Sequence, residues 1–222
     1  MRPIFKTPIK RYNGLRVRVS QRFGVNPQFY NKFKDAFGNP LKGHNGVDLV
    51  LGYNRQLMYG ADLNFICKGK VIKTVAVNPM STKGNGVYYV SETFLDGSTP
   101  KYYLIVLWHM AEVEARVGQE VDIKDKAGDM GNSGIVFPIP TIENPYLGVH
   151  LHLGVYSYIK KDEIWQKEFP DNGFDGAIDP LPLLGDLNPV GWEKKNTLEN
   201  LFDRILPLKW AYEQLKKIFK GR

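Results

Sequence analysis

The chain carries four histidines, His44, His109, His150 and His152, and two of them stand one leucine apart in "LGVHLHLGVY" (147–156). Histidine is the side chain best suited to hold a metal ion or to move a proton near neutral pH. A strand points successive side chains to opposite faces, so Val149, Leu151, Leu153 and Val155 share one face and His150, His152, Gly154 and Tyr156 the other. Taken alone, the stretch fits a half-buried strand with histidines on its polar face as well as it fits a metal or catalytic site. The other two histidines have to decide.

His44 opens "HNGVDLVLG" (44–52), where Asp48 follows four residues later, and His109 ends the apolar run "YYLIVLWHM". Asn45-Gly46 signals a turn and Val47 to Val50 reads as strand, so a turn could fold the Asp48 carboxylate back beside the His44 imidazole. A catalytic zinc site needs three protein ligands at about 2.0 to 2.2 Å and an open fourth position for water. One histidine and one carboxylate from 44–48, with one imidazole from the His-x-His strand, supply such a set. Two histidines are left over, suited to proton transfer or to stabilising an oxyanion.

The elements that must position these residues are β-segments. "GLRVRVSQRFG" alternates as a strand that stops at Gly24. "NFICKGKVIKTVAV", "GNGVYYVSETF", "KYYLIVLWHM" and "RVGQEVDIKDKAGDMGNSG" follow one another with glycine punctuation. Gly69 marks a turn or bulge and Asp96-Gly97 a hairpin, with no helical period between them. The pattern predicts a mainly β protein with an antiparallel sandwich or barrel-like core. "NPQFYNKFKDAFGNPLKG" reads as an aromatic loop or short helix. "IVFPIPTIENPYLG" has too many prolines for a strand interior and reads as an ordered loop. "KKDEIWQKEFPDNGFDGAIDPLPLL" is expected to be loop-rich. From Asn196 onward, leucine, isoleucine and phenylalanine recur at helical spacing with a break at Pro207, predicting a basic amphipathic helical extension. The chain divides into a basic lead (1–14), a catalytic domain (15–185) and that extension (186–222).

With 222 residues, 43% of them hydrophobic, the chain is long enough to bury a core, and its one cysteine, Cys67, excludes an intrachain disulfide framework. The net charge of +7 is concentrated at the ends: six bases and no acid in residues 1–18, eight bases against three acids in 194–222. Basic ends suit contact with an anionic wall polymer or a membrane surface. Aromatic and basic residues are not interleaved as in nucleic-acid readers, so no nucleic acid is expected as a partner. Neither a transmembrane run nor the apolar core of a signal peptide is present in the sequence, which predicts a product outside the ordinary secretory route.

In their order, "HNGVDL", a strand ending in "WHM", "VGQEV…GDMGNSG" and "GVHLHLGV" resemble the lysostaphin and LytM-type zinc endopeptidases, which cut the peptides of peptidoglycan. The resemblance covers roughly 16–184. It implies the duplicated hybrid motif for the β core, one zinc ion per chain held by His44, Asp48 and His152, and His109 and His150 as unbound catalytic histidines. It also implies peptidoglycan peptide as substrate and the cell wall as the place of action, reached after lysis, on a phage particle or by a dedicated route. The chain departs from the family where the proline-rich 135–148 insertion approaches the histidine strand, where Val149 replaces a proline, and where Gly154 replaces an acid. The insertion is expected at the groove wall. A second reading is a non-hydrolytic wall-binding or regulatory module that keeps the metal for shape.

Overall fold

Alternation of apolar and polar residues, interrupted by glycine turns, folds the chain into antiparallel strands with very little helix. The structure is a computed structural model that describes residues 3, 5–9, 15–76, 83–123 and 125–187. The helical extension expected from Asn196 onward lies outside the described residues. Along the chain run β1 (Val17–Gln21), helix α1 (Pro27–Tyr30), β2 (Val47–Leu51), helix α2 (Arg55–Met58), β3 (Asp62–Asn64), β4 (Gly69–Val75) and β5 (Asn85–Ser91). They are followed by β6 (Phe94–Asp96), β7 (Thr99–Val113), β8 (Glu120–Val121), β9 (Lys126–Met130), β10 (Leu151–Lys161), β11 (Ile164–Lys167) and β12 (Ala177–Ile178).

All twelve strands join one sheet whose main path is β1-β2-β10-β7-β5-β4-β8, with the short strands attached at its sides. Every strand pairing is antiparallel, as the short turns between strands require. The sheet is not closed, and the core packs against one continuous sheet. Its two longest members, β7 and β10, run side by side over eight residue pairs from His152↔Trp108 to Ile159↔Lys101. That pair is the spine from which the site is built.

The inner face collects the residues that the period assigns to it. Val47, Leu49 and Leu51 of β2, Ile105 and Leu107 of β7, and Leu151, Leu153 and Val155 of β10 are fully buried in the main core cluster. Tyr89 closes this core from β5, and its hydroxyl accepts the Ile66 backbone N–H at 2.9 Å. The basic lead contributes to the same core: Phe5 and Ile9 are buried there, and Phe5 meets Tyr103 edge-on at 5.2 Å. On the outer face a second, smaller cluster of Val106, Trp108, Tyr156 and Ala177 covers the middle of β7 and β10.

Some turns follow the sequence signals and one does not. Gly97, at φ 64°, turns β6 into β7 as the Asp-Gly pair predicts. Gly69 opens β4 at a close strand crossing, where a Cβ would stand 2.0 Å from the Val90 carbonyl. The region after β10, read as loop, contains the β10–β11 hairpin, because Asp162 and Glu163 both take left-handed backbone (φ 50° and 62°). Such two-residue turns favour Asn-Gly or Asp-Gly, so the Asp-Glu pair hides the hairpin from a reading by turn chemistry.

Cys67 is buried against Tyr89, and burial pushes its thiol pKa up to about 12. A thiol reagent such as Ellman's reagent should therefore leave Cys67 unlabelled in the native protein and react with one equivalent in denaturant; rapid native labelling would contradict this packing.

Candidate metal centre

Asp48 and His152 meet because β2 and β10 pair in the register Leu151↔Leu49, His152↔Asp48, Leu153↔Val47. The sequence suggested that a turn could fold the Asp48 carboxylate back beside the His44 imidazole, and the two lie 3.2 Å apart. Asp48 is also a strand residue, lying directly across the ladder from His152. His44 comes to them from the turn that precedes β2. Gly46 lets that turn close: a Cβ there would lie 2.6 Å from both Cε1 and Nε2 of His152 and from the Leu153 carbonyl.

Three donor atoms converge. His44 Nε2 lies 2.9 Å from His152 Nδ1 and 3.2 Å from Asp48 Oδ1, and His152 Nδ1 lies 3.2 Å from the same Oδ1. The Arg22 carbonyl at 3.1 Å can only accept, so His44 Nδ1 carries the proton and its Nε2 offers a lone pair. Burial would raise the Asp48 carboxyl, but the neighbouring His150, His152 and His44 outweigh it and hold the group well below the usual carboxylate range. Burial pushes His152 down to about 4, against the pull of Asp48. At neutral pH a carboxylate and the neutral His152 imidazole thus share a buried space, with the His44 ring against both.

This arrangement fits a divalent cation. Ligands at about 2.0 to 2.2 Å in tetrahedral order lie ~3.3 to 3.6 Å apart, and the three observed separations fall a few tenths of an ångström short of that. Small side-chain rotations supply the difference. His44, Asp48 and His152 are also the one group of potential metal-binding residues among the described residues. His152 Nε2 is buried without a partner, so this imidazole is held by its ring faces and by Nδ1. The Trp108 ring stacks on it at 4.7 Å and 8°, and Tyr30 stacks on His44 at 5.1 Å and 30°. Neither aromatic was singled out from the sequence, although Trp108 stood in the quoted "WHM".

His109 and His150 stand beside this group. Their rings are 4.7 Å apart, and His150 Nε2 lies 3.7 Å from Asp48 Oδ1. Each gives its Nδ1 proton to a backbone carbonyl, His109 to Ser133 at 2.8 Å and His150 to Gly148 at 2.7 Å, which fixes Nδ1 as the donor in both rings. Burial, reinforced by the nearby charges of His150 and His152, pushes His109 down to about 3. His109 reaches the site by a break in the strand period. Trp108 pairs with Gly86 and Met110 with Asn85, so His109 is an extra residue in the β5–β7 ladder, and its φ is 64°. Without that bulge its side chain would point to the face opposite Trp108. Ser133 fixes the carbonyl that orients it: the Ser133 hydroxyl donates to Met110 O at 2.6 Å and accepts the Asn85 N–H at 2.8 Å.

The five residues are among those lining a cleft of about 740 Å³. One wall comes from the aromatic segment after β1, and Ile135, Val136 and Phe137 of the proline-rich insertion form part of the other, where the insertion was expected. Gly154, which departs from the pattern that the sequence resembles, has no room for an acidic side chain: a Cβ would come within 2.7 Å of Val106 Cγ2.

No family profile matches the sequence, and no curated protein matches it. Solved structures of similar fold include a zinc-containing peptidase from Vibrio cholerae (19% identity, TM-score 0.48, 84% of this chain and 41% of that one). LytU (22%, 0.44, 75% and 83%) and lysostaphin from Staphylococcus simulans (17%, 0.46, 81% and 56%) are others. The chain thus spans less than half the length of the Vibrio peptidase. The likeness between this chain and these structures is one of chain path.

Two outcomes follow from the local geometry. Gly46→Ala should destabilise the protein by about 1 to 3 kcal/mol in urea unfolding, because its Cβ meets the His152 ring and a backbone carbonyl; an unchanged midpoint would show that the turn has slack. At position 109 the left-handed backbone should reverse the usual strand preference, making His109→Gly about 1 kcal/mol more stable than His109→Ala. Alanine equal to or above glycine would remove the strained bulge.

Proposed function

We propose that this chain is a zinc-dependent metalloendopeptidase that hydrolyses peptide bonds of bacterial cell-wall peptidoglycan, with 15–185 as its catalytic domain. The observation that carries the reading is the convergence of His44 Nε2, Asp48 Oδ1 and His152 Nδ1 within 2.9 to 3.2 Å, with two more histidines beside them. His44, Asp48 and His152 would hold the ion. Bound zinc would supply a Lewis acid and a water acidified toward about pKa 7.

The chain's own groups then divide the work. His109 and His150 are the proton carriers: with Nδ1 tied to a backbone carbonyl, each presents Nε2 to take or give a proton at the cleft. One accepts the proton of the attacking water and returns it to the leaving amine. The other, once protonated, donates a hydrogen bond to the oxygen on which negative charge develops. Trp108 and Tyr30, stacked on the ligand imidazoles, hold the rings in place and exclude water from their faces.

The non-hydrolytic alternative has less support, since a metal kept for shape alone has no use for two further histidines with locked tautomers. Peptidoglycan peptide is the proposed substrate, and the basic ends would favour an anionic wall polymer or membrane surface. Release by lysis or carriage on a phage particle fits this use. Among the described residues no helix is long and apolar enough to cross a membrane.

The test separates ligands from catalysts. Each of His44→Ala, Asp48→Ala and His152→Ala should lose the zinc measured by elemental analysis and with it all release of new amino groups from purified peptidoglycan. His109→Ala and His150→Ala should retain close to one zinc per chain while turnover falls at least about 100-fold. Full hydrolysis by a protein stripped of zinc would defeat the proposal, and so would normal turnover in both histidine variants.

A further inference from the structure

Besides the five residues of the candidate centre the cleft is lined by polar side chains and by a run of apolar ones. From the ligand His44, aromatic rings follow one another in contact: Tyr30 stacks on His44 at 5.1 Å, Phe29 meets Tyr30 edge-on at 5.0 Å, and Phe137 meets Phe29 edge-on at 5.2 Å. The last contact joins the two walls, since Phe29 belongs to α1 and Phe137 to the proline-rich strap. Phe33, Leu41 and Ile135 line the same space. Lys32 caps Phe29 with its ammonium 3.9 Å from the ring centroid.

The strap is a built wall. Val136 is buried, and Gly148 leaves the room for it, because a Cβ at 148 would stand 2.4 Å from Val136 Cγ2. The Asn132 amide donates to the carbonyls of Pro145 and Leu147, both at 2.8 Å, and pins the strap where it returns to β10. Tyr146 packs edge-on against Tyr59 at 5.5 Å. With its base held at both ends, the strap still leaves Ile135 47% and Phe137 56% exposed at the cleft. Large apolar side chains held exposed beside a reactive centre mark a binding surface more often than idle surface.

We propose that this pocket is a specificity subsite for a bulky apolar side chain of the peptide substrate, so that the enzyme discriminates against all-glycine segments. The inference rests on the peptidase reading for its occupant, an extended peptide passing the metal centre. Three ring contacts of about 5 Å span at most ~15 Å, and at ~3.3 Å per extended residue the selected side chain lies within about four residues of the cleaved bond. A glycine leaves the pocket wet, whereas leucine or phenylalanine removes apolar surface of both partners from water. Filling a hydrophobic pocket of this kind changes the specificity ratio by about 10-fold or more.

The experiment uses internally quenched peptides with a Gly-Gly centre, in which each of the four positions on either side is set in turn to glycine, alanine, leucine or phenylalanine. Hydrolysis is measured with the zinc-loaded full chain, and binding of the same peptides with zinc-loaded His109→Ala. At one or two adjacent positions leucine or phenylalanine should raise kcat/KM, and tighten binding to His109→Ala, about 10-fold or more over glycine. Phe137→Ala and Ile135→Ala should each shrink that ratio toward one; because both peptides are compared within one variant, a general loss of folded protein cancels. Hydrolysis without an apolar preference at any position would overturn the subsite and leave the peptidase standing. Apolar-selective binding without hydrolysis of any peptide or of peptidoglycan would overturn the peptidase and leave the pocket. A preference unchanged in both strap variants would also overturn the assignment to this pocket.

Discussion

The structure turns on a buried carboxylate that shares its space with two imidazoles. Asp48 is almost fully enclosed, and a lone carboxylate taken out of water is costly unless positive charge or hydrogen-bond donors face it. Here the facing atoms are nitrogens of His44 and His152, of which the first is committed as a lone pair by the Arg22 carbonyl. Three potential ligand atoms within 3.2 Å of one another form a group that could hold a cation. The candidate metal site and the fold are therefore coupled: the β2–β10 register that makes the core also sets the distance between two of the three potential donors.

The rest of the site can be understood as what this centre requires of the sheet around it. Strand pairing delivers side chains to one face only at every second position, which gives the site Asp48, His152 and Trp108 but not two neighbours on one strand. The bulge at His109 breaks that rule and places consecutive residues, Trp108 and His109, at the same centre. Its backbone holds a conformation that costs a residue with a Cβ about 1 to 2 kcal/mol. That strain sits at the residue proposed for proton transfer, and the surrounding ladder and the Ser133 hydrogen bonds hold it in place. The loops have a different task, since Tyr30 and the strap 135–148 line the cleft at this centre without belonging to the group that could hold a metal.

How much of this was legible in the sequence can be judged residue by residue. The inward face of β10 followed directly from alternation, and the same rule placed His150 and His152 together. The antiparallel arrangement followed from short glycine turns, which leave no length for a crossover helix. The turn at Gly46 was visible as Asn-Gly, but its steric reason was not, because the atom it must avoid belongs to a strand more than a hundred residues away. Asp48 was marked as a candidate by its spacing from His44, while its true partner across the ladder could not be seen without the register. The hairpin at 162–163 escaped because its turn uses Asp-Glu where glycine is the usual signal.

What the sequence determined by itself was therefore local: the period of each strand, the turns that use glycine and asparagine, and the inventory of five side chains able to bind zinc or carry protons. What only the tertiary structure decided was which of those atoms meet. Distances such as 2.9 Å between His44 and His152 arise from long-range pairing, and tautomers are set by carbonyls of Arg22, Ser133 and Gly148. The strap's role is of the same kind, since its prolines announce an irregular segment but say nothing of the Phe29–Phe137 contact that joins the walls. Local propensity acts through bonds between near neighbours, whereas a site is a set of contacts between residues that the chain alone holds far apart.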